Sequence, residues 1–209
     1  MKRAAAHILS ATTALVFLAM RLWETTDGVM LLWFVPNMAA VCVVIALTLG
    51  NLRNKPSRTE DSPMMFGAAM LSTNFCILIA LFGHLFPLYQ TAPSASVQGA
   101  GALLNLLSMP FYLAAVLSLG RGFAILPEAH TLQTGGLYKI SRHPIYLTYL
   151  FWCATQNLIY QTWTVLGFSV VQTILFLYRA KQEEKVLTLT FPAYEEYRNR
   201  VMWLGTRTT

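Results

Sequence analysis

The sequence predicts an all-α integral membrane protein: four transmembrane helices and a C-terminal helical hairpin, about five to six membrane helices in all, followed by a cytoplasmic tail helix. Three observations lead to this fold class. Of 209 residues, 56% are hydrophobic and only 11% are charged, against about 25% charged in ordinary soluble domains. Several apolar stretches reach the roughly 20 residues that a membrane span requires. Basic residues cluster between alternate stretches, as in polytopic membrane proteins.

Four apolar segments account for the predicted spans. They are residues 4–22, 29–49, 64–86 and 97–119, and the second and fourth carry no charged side chain. Pro36 and Pro110 lie inside two of them, where a missing backbone hydrogen bond predicts a kink. We therefore expect two units: residues 1–96 with helices one to three, and residues 97–209 with helix four, the hairpin and the tail.

The positions of lysine and arginine predict the orientation. If the chain crosses the membrane at each span, fourteen of its fifteen basic residues lie on one side and only Arg21 lies on the other. Basic loops remain in the cytoplasm, so we expect both termini and the loop before Arg142 on the cytoplasmic side. These flanking residues explain the formal net charge of +6, which therefore indicates membrane lipids rather than a nucleic-acid partner.

The last apolar run, residues 145–178, predicts the hairpin. As one helix its 34 residues would extend about 51 Å, beyond a hydrocarbon core of roughly 30 Å, and basic residues flank both ends. The polar stretch QNLIYQTW, residues 156–163, supplies a turn near the middle. Two arms of about 16 residues would place the entrance of the hairpin beside its exit.

Polar residues gather at these two ends. The entrance carries Arg142, His143 and Pro144, and the exit carries Arg179 and Glu183. Pro144 suits the first turn of a helix, and Arg179 and Glu183 share a helical face because they are four residues apart. The sequence predicts that His143 and Glu183 face one pocket at the membrane surface.

Each feature also has a simpler interpretation. Snorkelling anchors would explain Arg142 and Lys139, a solvated ion pair would explain Arg179 with Glu183, and the interfacial aromatic belt would explain Tyr146. The three cysteines have no C-x-x-C spacing, so no metal site is expected. The convergence of the polar residues on one hairpin base favours a functional site.

The strings LGRGF, LPEAHTLQTGGLYKISRHPIYLTYL and FLYRAKQEEKVLTLTFPAYEEYRNRV, within residues 119–201, resemble the isoprenylcysteine carboxyl methyltransferase family, which is related to the phospholipid methyltransferases. The pairing of R-H-P-x-Y with R-x-x-x-E-E-x-x-L and F-x-x-Y-x-x-Y carries the resemblance. It implies an S-adenosylmethionine-dependent membrane methyltransferase whose core is residues 97–209. The chain also lacks a G-x-G-x-x-G motif placed after a strand.

The resemblance implies roles for particular residues. Glu183 would meet the amino group of the cofactor, and Arg179 would face the acceptor as a catalytic residue. Apart from the resemblance, the chemistry of an amine acceptor would require a base, and Glu184 or His143 is the candidate catalytic residue for that step. The residues implied in cofactor binding are His130, Thr131, Leu132, Gln133, Tyr138, His143, Pro144, Ile145, Tyr146 and Glu183.

The preferred function is methyl transfer to the carboxylate of a prenylcysteine-like or other lipophilic acceptor. A carboxylate is already ionised at neutral pH, whereas a phospholipid or other amine acceptor requires loss of a proton. An NADPH-dependent membrane reductase and a non-catalytic membrane protein are the alternatives from other classes. The tail from Phe191 to Tyr197 is expected to form an amphipathic helix with Phe191, Tyr194 and Tyr197 on one face, either a lid or an interfacial helix on lipid.

Overall fold

The fold is given by a computed structural model, which describes residues 56–59, 62–73, 94–122, 124 and 126–204, with short helical pieces at 8, 12, 42–47 and 50. The described residues exclude most of the first two predicted spans, and with them Pro36 of the second span. They also exclude the second half of the third span. The described part is mainly helical. Its helices are α1 (Pro63–Thr73), α2 (Ala95–Leu119), α3 (Pro144–Tyr160), α4 (Trp163–Thr190) and α5 (Tyr194–Arg200); its strands are β1 (Arg58–Thr59) and β2 (Glu128–Ala129); single 3₁₀ turns span Gly120–Gly122 and Gly136–Lys139.

Helix α2 confirms the fourth predicted segment as one helix. It runs for 25 residues and continues through Pro110, and both α2 and α4 are long and apolar enough to cross a membrane, by length and composition. Leu103, Leu107 and Phe111 lie one turn apart along α2 and are 57%, 58% and 61% exposed. An exposed apolar row of this length suits a surface that contacts lipid.

Helices α3 and α4 confirm the predicted hairpin. The chain reverses at Gln161, whose left-handed backbone (φ 51°) ends α3. The Thr162 side chain accepts a hydrogen bond from the Val165 N–H and so begins α4, as N-cap residues do. The Gln161 side chain also bonds both backbone groups of Ser94, at 3.2 and 3.3 Å, which fixes the turn to the start of α2.

The two arms of the hairpin differ in length. Helix α3 has 17 residues, close to the predicted 16, whereas α4 has 28 and therefore extends about 42 Å. The apolar run itself divides evenly, as predicted, into residues 145–160 and 163–178, and α4 is longer because Arg179–Thr190 continues the same helix beyond that run. The polar residues of the hairpin exit thus lie on a rigid helix rather than on a loop.

Apolar contacts hold α1 and α2 against the hairpin. Met65 and Ala69 of α1 pack with Leu126 in a buried cluster that also contacts Tyr178 of α4. On α2, Ala115 and Val116 pack against Ile145 of α3. A buried hydrogen bond of 3.1 Å from Asn105 to Thr155 also joins α2 to α3. Such interhelical bonds are typical of helices packed in membranes.

A short antiparallel pairing links the two units expected from the sequence. Strand β1 pairs with β2, with Arg58 opposite Ala129 and Thr59 opposite Glu128, and the Ser57 N–H donates to the Ala129 carbonyl at 2.8 Å. This pairing ties the segment before α1 to the segment after α2. The chain that follows β2 leads into the hairpin entrance.

Candidate active site at the base of the helical hairpin

The hairpin entrance is buried. His143 precedes α3 and Pro144 occupies its first turn, as the sequence predicts. The His143 ring lies between two adjacent carboxylates of α4: its Nδ1 is 3.8 Å from Glu183 Oε2, and its Nε2 is 3.3 Å from Glu184 Oε1. The structure therefore confirms the predicted meeting of His143 and Glu183.

Arg142 forms a second link across the hairpin base. Its Nε lies 3.3 Å from Glu184 Oε1, with the Arg142 side chain 1% exposed and that of Glu184 20% exposed. The interpretation of Arg142 as a snorkelling anchor was therefore wrong, because a snorkelling side chain keeps its charged group in water. A guanidinium buried in this way requires a charged partner, and Glu184 supplies it. Lys139, by contrast, is exposed.

Glu183 and Arg179 have different neighbours from Glu184. The Tyr146 hydroxyl donates a hydrogen bond to Glu183 Oε1, and the guanidinium of Arg179 lies 5.7 Å from the centroid of the Tyr146 ring. Arg179 is 6% exposed and donates to Ser72 Oγ of α1 at 2.9 Å. A solvated Arg179–Glu183 pair was thus the wrong interpretation, and Tyr146, 5% exposed, does not belong to an exposed aromatic belt.

The C-terminal tail covers the hairpin entrance. The Ser141 hydroxyl donates to the Trp203 carbonyl at 2.6 Å, and the Arg142 N–H donates to the Met202 carbonyl at 2.9 Å. The Trp203 ring meets the His143 ring edge-on, with 6.5 Å between centroids. Residues 201–204 therefore form one wall of the site.

Helix α5 also packs inward. Tyr194 and Tyr197 are 1% and 4% exposed, and the Tyr197 hydroxyl donates to the Tyr138 carbonyl at 2.7 Å. Phe191 lies before the helix, which begins at Tyr194. An interfacial helix with these tyrosines on lipid was therefore the wrong alternative, since both side chains are inside the protein.

The tyrosine hydroxyls of this region stay protonated. Burial raises the pKa of Tyr138 and Tyr194 well above the usual value for tyrosine. Burial also raises the pKa of Tyr197 to about 12, although the nearby Arg142 acts in the opposite direction. These groups can therefore donate hydrogen bonds at every physiological pH.

The predicted cofactor segment 130–133 lies just after β2. His130 Nε2 is 2.8 Å from Glu128 Oε2, with side chains 5% and 0% exposed, and Gln133 donates to Thr131 Oγ1 at 3.3 Å. Leu132 is partly buried. The structure brings His143, Pro144, Tyr146, Arg179, Glu183 and Glu184 together at the hairpin base, with Ile145 buried beside α2. The roles implied for residues 130–133 remain predictions.

Sequence reasoning missed Glu128, Ser72 and Trp203. Glu128 stands two residues before His130, so the pattern E-x-H could have indicated the pair. Ser72 lies within an apolar segment and Trp203 beyond the tail motif, and both reach the site through distant contacts. No local signal marks either residue.

The described residues form a mainly helical protein with two helices long and apolar enough to cross a membrane and a cluster of charged side chains at the base of a hairpin. Residues 102–189 match the model of the isoprenylcysteine carboxyl methyltransferase (ICMT) family, which confirms the resemblance found in the sequence. The matched segment contains α3, the hairpin turn and nearly all of α4. It therefore includes every charged residue at the hairpin base.

Curated relatives carry the corresponding name. Protein-S-isoprenylcysteine O-methyltransferase B of Arabidopsis thaliana is 36% identical over 94 residues, covering 42% of this chain and 48% of the relative. The Schizosaccharomyces pombe protein-S-isoprenylcysteine O-methyltransferase is 31% identical over 130 residues, covering 58% and 51%. The chain thus spans about half the length of these relatives. A solved eukaryotic intramembrane Ras methyltransferase, ICMT, aligns over 97% of this chain and 96% of its own, with 17% identity and a TM-score of 0.47.

Proposed function

We propose that this chain is an integral membrane methyltransferase that uses S-adenosylmethionine to methylate the carboxylate of a prenylcysteine or a similarly lipophilic acceptor. One observation carries the proposal: the segment that matches the ICMT family model folds so that His143, Glu183 and Arg179 meet at one hairpin base. The names of the relatives support transfer of a methyl group to oxygen and give no support to a reductase or a non-catalytic protein.

The groups at the hairpin base fit the chemistry of the cofactor. S-adenosylmethionine carries an ammonium, a carboxylate and an electrophilic methyl on a sulfonium. The side chain of Glu183 is 24% exposed and is oriented by Tyr146, so it can accept hydrogen bonds from an ammonium. The first N–H groups of α3 lie beside His143 and favour an anionic group such as a carboxylate. Segment 130–133 and Tyr138 complete the proposed set.

The charges favour a carboxylate acceptor. Arg179 can orient a carboxylate through paired hydrogen bonds, and no base is required because the acceptor is already ionised. Glu184, the candidate base for an amine, is engaged by Arg142 and His143, which stabilises its ionised form and makes it a weaker base. Catalysis then depends on positioning and on the exclusion of water.

The proposed location of the site is the cytoplasmic membrane surface. Both ends of the hairpin carry the basic residues expected in the cytoplasm, and the water-soluble cofactor is available there. Helices α2 and α4 provide the apolar length for a membrane span. A lipophilic acceptor would reach the hairpin base sideways, between helices, while its charged group stays at the surface.

A labelled-methyl assay tests this function. Purified protein in lipid nanodiscs is incubated with methyl-labelled S-adenosylmethionine and N-acetyl-S-farnesylcysteine, and ester formation is measured. The carboxamide of the same compound is the matched control, and phosphatidylethanolamine tests amine methylation. We expect label in the ester only. Label in the phospholipid would show that the acceptor is an amine and would refute the proposed carboxylate acceptor. If no acceptor is labelled and the cofactor does not stabilise the protein against heat, the protein is not a methyltransferase.

A further inference from the structure

Helix α1 reaches the proposed acceptor site through Ser72. The Ser72 side chain is 4% exposed, and its hydroxyl lies 2.9 Å from Arg179 Nη1. Thr73 gives Arg179 a second, longer contact of 3.4 Å. Helix α1 precedes the family-matched segment, which begins at residue 102. Arg179 is thus contacted by a residue that lies outside the segment matched by the family model.

The direction of the Ser72 hydroxyl is fixed. Its proton is donated to the Ala69 carbonyl at 3.2 Å, so an oxygen lone pair remains for the guanidinium, which has only donors. The backbone carbonyl of Ser72 accepts a hydrogen bond of 2.8 Å from Gln172, which is 2% exposed. Gln172 and Arg179 lie two turns apart on α4, so α4 holds the same serine at two points.

Arg179 is therefore restrained on two sides. Ser72 accepts a hydrogen bond from Nη1, and the centroid of the Tyr146 ring lies 5.7 Å from the guanidinium carbon, within the range of a cation–π interaction. Five N–H donors in a planar fork make the orientation of an arginine decisive when it binds a carboxylate in a bidentate manner. A rotation of the guanidinium would remove one of the two parallel hydrogen bonds.

We propose that Ser72, held in place by Gln172, is a positioning residue that orients Arg179 toward the carboxylate of the acceptor. This inference rests on the proposed function, in which Arg179 binds the acceptor. It assigns part of the acceptor specificity to α1. Loss of the Ser72 hydroxyl should weaken the use of the acceptor without changing the binding of the cofactor.

The experiment compares Ser72→Ala with the matched control Ser108→Ala. Both serines are buried helical residues that donate to the carbonyl three residues earlier, but only Ser72 contacts Arg179. The KM and kcat for N-acetyl-S-farnesylcysteine, the affinity for S-adenosylmethionine and the thermal unfolding midpoint are measured for each variant. Ser72→Thr, which keeps the hydroxyl, is the conservative rescue.

We expect Ser72→Ala to raise the acceptor KM about tenfold, the effect of losing a hydrogen bond to a charged group. Its cofactor affinity should equal that of the control, and Ser72→Thr should restore most of the KM. An acceptor KM equal to that of Ser108→Ala would overturn the proposal, as would parallel loss of cofactor affinity. If Ser72→Ala does not fold, Gln172→Leu decides: a raised acceptor KM supports the proposal and an unchanged one refutes it. A wild-type protein without activity would refute the proposed function itself.

Discussion

Replacing Glu183 by glutamine distinguishes the role of the Glu183 carboxylate from that of the adjacent Glu184 carboxylate on α4. Glutamine keeps the size of the side chain and its ability to accept a hydrogen bond from Tyr146, but removes the negative charge. If Glu183 binds the ammonium of the cofactor, Glu183→Gln should weaken S-adenosylmethionine binding. The same change at Glu184 should instead reduce stability, because Glu184 balances the buried charge of Arg142.

The structure sets the size of each effect. A hydrogen bond to a charged group contributes about 1.5–3 kcal/mol, which is roughly 10- to 150-fold in affinity. The Glu183 side chain is 24% exposed, so solvent screens its charge and the loss should lie near the lower end, about 10- to 30-fold. Breaking a buried ion pair costs about 3–5 kcal/mol. Glu184 is 20% exposed, which reduces the expected cost of Glu184→Gln to about 2–3 kcal/mol.

Calorimetric titration and thermal unfolding in nanodiscs measure the two effects. S-adenosylmethionine and S-adenosylhomocysteine serve as ligands, because both carry the ammonium. Glu183→Gln should lose affinity for both while unfolding near the wild-type temperature, and Glu184→Gln should unfold at a lower temperature. Equal affinity of Glu183→Gln and wild type would refute the assignment of Glu183 to the cofactor. Equal losses of stability in both variants would refute the division of roles.

Two glycine pairs provide further predictions on packing, measured by thermal unfolding. A Cβ on Gly101 would lie 2.8 Å from a leucine side chain and 3.2 Å from a backbone nitrogen of α3, whereas one on Gly99 would meet nothing within 4 Å. Gly101→Ala should therefore destabilise the α2–α3 contact by about 1–3 kcal/mol and Gly99→Ala should not; equal midpoints would contradict this close approach. Gly136 has a φ of +57°, and a Cβ there would lie 2.6 Å from a serine oxygen, so Gly136→Ala should cost more than 1 kcal/mol while Gly135→Ala stays near neutral. A tolerated Gly136→Ala would show that the turn before the hairpin adopts another conformation.

The sequence was sufficient to predict the hairpin because two independent constraints agreed. The apolar run was too long for one span, and the basic residues placed both of its ends on one side. The turn at Gln161 lies within the predicted polar stretch. Hydropathy marks only the apolar part of α4, whereas its extension through Thr190 agrees with the helical spacing of Arg179 and Glu183 and with the high helix propensity of arginine and glutamate.

The burial of Arg142 was not predicted from the sequence, and the reason is its dependence on distant contacts. An arginine beside a membrane segment is usually an anchor at the interface, and only a nearby carboxylate changes that expectation. The carboxylate that lies beside Arg142 belongs to Glu184, on the other arm of the hairpin. The Met202 carbonyl, which accepts a hydrogen bond from the Arg142 N–H, lies still further along the chain. Tertiary contacts, rather than local pattern, decide the position of this side chain.

Side chains at adjacent positions on a helix point about 100° apart. This spacing explains how the neighbouring residues Glu183 and Glu184 can contact different groups. Glu184 is directed toward Arg142 and the tail, where its charge stabilises the hairpin base. Glu183 is directed toward Tyr146, on the side where Arg179 contacts Ser72. The His143 ring lies between the two carboxylates, with one nitrogen facing each. A change at His143 should therefore affect both stability and cofactor binding, whereas changes at Glu183 and Glu184 should affect one property each.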